Sequence, residues 1–187
     1  ATIVVDGQHY CSFASSDYLG LTMHPQVIDA LHQSASMYGF GSGASPLVSG
    51  FTQAHADLQQ ALAAWLGVEA CLLFSNGYMA NIAVLTALLG RKDQVYLDRA
   101  NHASIWDAAR LSGANIWRFG PGAKPLPRPQ DAGGQCLLVS DGVFSMSGAL
   151  ADIGQLRAWA SAHDAWLMID DAHGFGVLGA QGLGSIA

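Results

Sequence analysis

Two hydrophobic periods alternate along this chain. Over residues 25–38 the apolar positions Val27, Ile28 and Leu31 share one helical face, and Pro25 stands where a first helical turn tolerates it. Thr52 reads as the N-cap of a second helix that carries Leu58, Leu62, Trp65 and Leu66 and stops at Gly67. Beyond it, short apolar runs of strand length take turns with helical stretches. The pattern predicts strands at 70–74, 94–97, 115–119, 136–140 and 166–170, and helices near 78–89, 103–111 and 153–162.

Strands separated by helices of this length imply a mainly parallel sheet covered on both faces, because a parallel connection must cross over the sheet. The expected fold is therefore three-layer α/β. The proline- and glycine-rich stretch over 120–135, GPGAKPLPRPQDAGGQ, interrupts the rhythm and reads as a surface excursion, with a domain linker as the alternative. The 187 residues suffice for one domain with a sizeable core. Residues 1–50 read as a segment leading into it, and 51–187 as its partial body.

Composition sharpens this picture. With 51% hydrophobic and 12% charged residues, the chain carries more apolar surface than a domain of its length hides. Further polypeptide or a subunit interface is expected to cover the excess. A net charge of −6 without any basic run argues against nucleic acid. No apolar stretch reaches the roughly 18 to 20 residues of a membrane span, and no basic region precedes a hydrophobic one at the start. No membrane association and a cytoplasmic location are expected. Cys11, Cys71 and Cys136 are odd in number and widely spaced, so buried free thiols are expected rather than disulfides or a thiolate metal site.

Candidate chemistry concentrates in WLMIDDAHGFGVLG, residues 166–179. An apolar run ending in acids and glycines reads as the carboxyl end of a central parallel strand, where open α/β sheets bind ligands. An Asp at such a tip, Asp170, can pair with a protonated ring nitrogen. His173, one short turn on, can reach an oxygen of the same ring. This is what a pyridoxal 5'-phosphate (PLP) site requires. Asn76, Gly77 and Tyr78 lie between a predicted strand and helix, where backbone N–H groups and the helix dipole can hold a phosphate. Taken alone, that segment reads more readily as an ordinary strand-to-helix turn.

Several stretches together resemble the α-oxoamine synthase family of fold-type-I PLP enzymes: SSDYLGL (15–21), GSGASPLVSG (41–50), LLFSNGYMAN (72–81), DRANHASIWDAARLSGA (98–114), SDGVFSMSG (140–148) and DDAHGFGVLG (170–179). They follow the family's order over nearly the whole chain. The resemblance implies the large domain of a fold-type-I transferase, with PLP as cofactor and a homodimeric assembly. It implies a phosphate contact from Gly77 and Tyr78 with Asn76 beside them, and His102 stacked on the ring. It further implies Asp170 on the ring nitrogen, and His173 and Ser145 on the phenolate oxygen. His102, Asp170 and His173 carry the catalytic expectation; Asp171 reads as a supporting acid, and Asp141 as either a buttress of the site or a turn residue.

The implied activity is a decarboxylative condensation of an amino acid with an acyl thioester. These strings are most similar to members that join L-alanine to a pimeloyl thioester of CoA or an acyl carrier protein; glycine- or serine-using members are the alternative. The lysine that the family places in a Ser/Thr-x-Gly-Lys context after DDAHG has no counterpart here, since Lys92 and Lys124 stand elsewhere. The chain is therefore expected to be the amino-terminal portion of a longer enzyme and inactive alone. Ser16 departs from the family's usual Asn before Asp-Tyr-Leu-Gly. Readings of another class are a metal-dependent hydrolase using Asp170, Asp171, His173 and His102, and a non-catalytic scaffold.

Overall fold

The chain opens with Asp6-Gly7 between two short alternating runs, and both residues adopt positive φ, 50° and 77°. That geometry matches the twist of a two-residue hairpin. It joins Thr2–Val5 (β1) to Gln8–Cys11 (β2) in antiparallel register, Val5 opposite Gln8. The sequence reading did not anticipate this hairpin. The computed structural model describes residues 2–120, 125 and 133–187. Lys124 and most of the proline-rich stretch lie outside those residues. The chain divides into two compact units, residues 1–73 and 74–187.

The first unit contains the hairpin and two helices of the expected extent, Pro25–Tyr38 (α1) and Gln53–Leu66 (α2). Thr52 precedes α2, and its N–H donates to His55 Nδ1 at 3.2 Å, which ties the chain entry to the first turn. No residue of either helix is buried within this unit. Phe40 and Leu47 stand almost fully exposed. The apolar excess read from composition is thus concentrated on open surface.

The second unit holds Gly77–Leu88 (α3), Gln94–Asp98 (β3), Ala103–Ser112 (α4), Asn115–Phe119 (β4), Cys136–Asp141 (β5), Ile153–Ala162 (α5) and Trp166–Asp170 (β6). The four strands form a parallel sheet in the order β4-β3-β5-β6. Their side chains alternate, so each strand feeds two cores. Val95, Leu97, Leu137 and Val139 pack with Leu85 and Leu89 of the α3 region and with Ile105, Ala108 and Ala109 of α4. Tyr96, Cys136 and Leu138 face the other way, onto Leu156, Trp159 and Ala160 of α5. Helices therefore cover both faces of a parallel sheet, the expected three-layer α/β arrangement.

Two expectations are corrected. Residues 70–74 form no strand, although their apolar run resembles one. A strand is defined by its ladder, and no strand pairs with this segment, where Leu72 and Phe74 are exposed. Of the three thiols only Cys136 is buried; Cys71 is half-buried, and Cys11 sits on the exposed hairpin.

Candidate active site

In a parallel sheet all carboxyl ends lie along one edge, and here three of them end in an aspartate. Asp98 closes β3, and Asp141 and Asp170 stand directly opposite one another at the tips of β5 and β6. The helices α3 and α4 begin beside this edge. Between them lies a cavity of about 240 Å³. Gly77 and Tyr78 line it from the first turn of α3, His102 and Ser104 from the start of α4, and Asp141 and Asp170 from the strand tips. Ala172 and His173 close it from the turn after β6, and Asn81 enters from α3. A larger cavity of about 330 Å³ in the first unit is lined by Leu31, Tyr38, Phe40 and His55 among others. Its one imidazole is already bonded to Thr52, and it presents no carboxylate, so the chemistry points to the smaller cavity.

Five of the expected site residues therefore meet in one place: Gly77, Tyr78, His102, Asp170 and His173. Asn76 and Ser145 do not line the cavity. Asn76 caps α3, its Oδ1 accepting from the Met79 N–H at 2.9 Å. That preference of Asn for the N-cap consumes its acceptor. Ser145 is exposed in the turn after β5. Asp171 points into the following loop, where Ser185 donates to it through its N–H at 2.9 Å and its hydroxyl at 2.6 Å. Lys92 is exposed in the turn before β3, at the opposite end of the strand from the cavity.

Asn81 and Ser104 were not anticipated as site residues. Asn81 is a polar residue on a largely apolar helix, and Ser104 follows the histidine by two positions. Either signal reads equally well as an ordinary solvated residue. Both are buried, Ser104 fully. Asn81 Nδ2 lies 2.8 Å from Asp170 Oδ2 and 2.9 Å from Ser104 Oγ. Ser104 Oγ in turn lies 2.7 Å from His102 Nδ1.

Electrostatics distinguishes the acids. Burial pushes the Asp141 carboxyl up to about 6, and the facing Asp170 and the more distant Asp98 add to the rise. The His102 N–H, which donates to Asp141 Oδ1 at 3.1 Å, opposes it. Burial also raises Asp98. The Tyr78 hydroxyl donates to Asp107 Oδ2 at 2.8 Å, and that bond raises the phenol.

These groups fit a flat aromatic cofactor with an anionic tail and a protonatable ring nitrogen. The N–H groups of Gly77 and Tyr78, at the positive end of α3, have no acceptor among the described residues, and a Cβ built at Gly77 would meet nothing within 4 Å. Asp170 supplies a carboxylate to a ring nitrogen, and His102 supplies an imidazole. Among the described residues no group of three or more His, Cys, Asp or Glu is disposed to hold a metal ion. The hydrolase reading has no ligand set there. No helix among the described residues is long and apolar enough to cross a membrane.

Comparison with known proteins agrees with the α/β fold. The family model for aminotransferase class I and II matches residues 8–186. The 8-amino-7-oxononanoate synthase of Thioalkalivibrio sulfidiphilus is 51% identical over 187 residues, spanning 98% of this chain and 48% of its own. That of Stutzerimonas stutzeri is 52% identical over 184 residues, spanning 97% and 47%. The chain thus spans about half the length of the curated relatives it matches. Among solved structures, Sphingomonas wittichii serine palmitoyltransferase superposes with a TM-score of 0.92 at 33% identity, covering 99% of this chain and 47% of its own. The 8-amino-7-oxononanoate synthase of Francisella tularensis superposes with a TM-score of 0.75 at 30% identity, covering 93% and 48%.

Proposed function

The chain belongs to the aminotransferase class I and II family, and from that premise we propose that it forms the cofactor-binding part of an 8-amino-7-oxononanoate synthase. This is a PLP-dependent acyltransferase of biotin biosynthesis that joins L-alanine to a pimeloyl thioester with loss of carbon dioxide. The observation that carries the reading is the meeting of Gly77, Tyr78, His102, Asp170 and His173 around one cavity, in a chain about half identical to relatives of that name. The assembly is a cytoplasmic homodimer.

The chain's own residues have distinct tasks. The Gly77 and Tyr78 N–H groups hold the phosphate, aided by the dipole of α3. Asp170 accepts a hydrogen bond from the ring nitrogen and, as a carboxylate in a partly buried site, keeps the proton there. His102 packs against the ring, and His173 donates to the ring's phenolate oxygen. Bound in this setting, the protonated ring supplies an electron sink for the carbon that loses its proton.

A second reading is serine palmitoyl transfer, which the closer superposition on serine palmitoyltransferase favours. The higher identity to relatives named 8-amino-7-oxononanoate synthase outweighs it. The test is the purified full-length protein, assayed with L-alanine plus a pimeloyl thioester and, in parallel, with L-serine plus palmitoyl-CoA. Turnover of the first pair, with Asp170→Asn lowering kcat by about 100-fold or more, is expected. Turnover of the second pair alone would replace the assignment, and an undiminished Asp170→Asn enzyme would remove Asp170 from it.

A further inference from the structure

Asp170 and His102 sit on different elements, the tip of β6 and the cap of α4, yet one continuous hydrogen-bonded chain joins them. Its bond directions follow from what each group can do. A carboxylate only accepts, so the atom of Asn81 facing Asp170 Oδ2 at 2.8 Å must be its N–H₂ nitrogen. The same nitrogen has a second N–H, and it meets Ser104 Oγ at 2.9 Å. With its oxygen accepting from Asn81, the Ser104 hydroxyl is free to donate to His102 Nδ1 at 2.7 Å. The Ser104 backbone N–H, which can only donate, points to that same Nδ1 at 3.2 Å. Two donors converge on Nδ1, so it carries a lone pair and the ring proton resides on Nε2.

We propose that Asn81 and Ser104 are positioning residues: Asn81 anchors one oxygen of Asp170, and Ser104 fixes the Nε2–H tautomer and ring orientation of His102. The proposal rests on the cofactor-site reading given above. It adds that the ring-nitrogen partner and the stacking imidazole are set by one shared buried link rather than independently. Asn81 and Ser104 are buried, so deleting either leaves its neighbour with a poorer partner than the one removed. The carboxylate's other oxygen accepts from the Ala172 N–H at 3.1 Å. Asp170 is thus held from the helix side by Asn81 and from its own loop by the backbone. Among the described residues, removing Asn81 leaves the Asp170 carboxylate the loop contact alone.

The test uses the full-length protein with and without PLP, in the wild type and in Ser104→Ala, Ser104→Thr, Asn81→Ala and Asn81→Ser. In the cofactor-free protein, ¹⁵N-resolved NMR of His102 reads the tautomer directly. The wild type should show Nδ1 as the bare, hydrogen-bonded nitrogen. Ser104→Ala keeps the backbone donor and loses the stronger hydroxyl one, so the ring should shift partly toward the other tautomer, and Ser104→Thr, which restores the hydroxyl, should return it. In the loaded protein, the pH dependence of the cofactor's absorbance reads the Asp170 contact. Asn81→Ala and Asn81→Ser should move that profile and weaken PLP binding several-fold, while Ser104→Thr leaves both near wild type. An unchanged His102 tautomer in Ser104→Ala, or an unchanged absorbance profile in both Asn81 variants, would overturn the proposal. Failure of the wild type to bind PLP would overturn the cofactor reading instead, with the His102 tautomer still legible.

Discussion

Replacing Asp141 by Asn should stabilise the cofactor-free protein at neutral pH, although Asp141 belongs to the site. The carboxyl is 3% exposed, faces Asp170 across the β5–β6 pair and lines the cavity. Burial first, then the neighbouring acids, lift it from its ordinary 3.8 to about 6. For an acid raised in the folded state, the native protein holds the proton more tightly than the unfolded chain. The burial penalty is thus absent below about pH 4, grows as pH rises, and is complete above about pH 6. The full rise would correspond to about 3 kcal/mol at pH 7. Solvent reaching the cavity screens part of this, leaving about 1–2 kcal/mol. Asn keeps an oxygen that can accept from the His102 N–H, now 3.1 Å away, and can donate toward Asp170. Urea denaturation of wild type and Asp141→Asn from pH 4 to 7.5 measures the difference between the two curves. It should be near zero at pH 4 and open in favour of the variant by pH 7. A difference that stays flat across that range, or a variant that loses ground as pH rises, would refute the electrostatic reasoning.

Leu85→Ala, deleting a fully buried side chain between α3 and the sheet, should cost about 3 kcal/mol, checked by the denaturation midpoint. A loss under about 1 kcal/mol would mean that this core collapses around the gap. Gly184→Ala should destabilise the loop after β6 by about 2 kcal/mol or more. Gly184 has a φ of 97°, and a Cβ there would overlap the Asp171 carboxylate. Hydrogen exchange across residues 171–187 should rise in this variant, and a loop as protected as in wild type would count against the packing described.

What the amino-acid order determined by itself was the alternation of elements and the residue types at their ends. The periodicity of Val27, Ile28 and Leu31 placed α1 at its observed bounds. The apolar runs closed by Asp141 and Asp170 marked two strand tips, because buried parallel strands are written as continuous apolar stretches. Asp170 and His173 stood out because an acid and an imidazole follow an apolar run beside a glycine-rich turn, whereas His102 was legible only through the family resemblance. The hairpin at Asp6-Gly7 was not anticipated, although the positive φ values it needs suit that dipeptide. Tertiary structure alone decided the rest. The run at 70–74 carries a strand's composition, but pairing requires a neighbour, and neighbours are chosen in three dimensions. Ser145 lies outside the cavity, exposed in the turn after β5. Asn81 and Ser104, 23 residues apart, acquire a role only when α3 and α4 pack side by side and bring a buried amide between a carboxylate and a hydroxyl. No period or motif encodes that distance. It arises because an unpaired buried polar group is costly, and folding brings these groups together to satisfy one another.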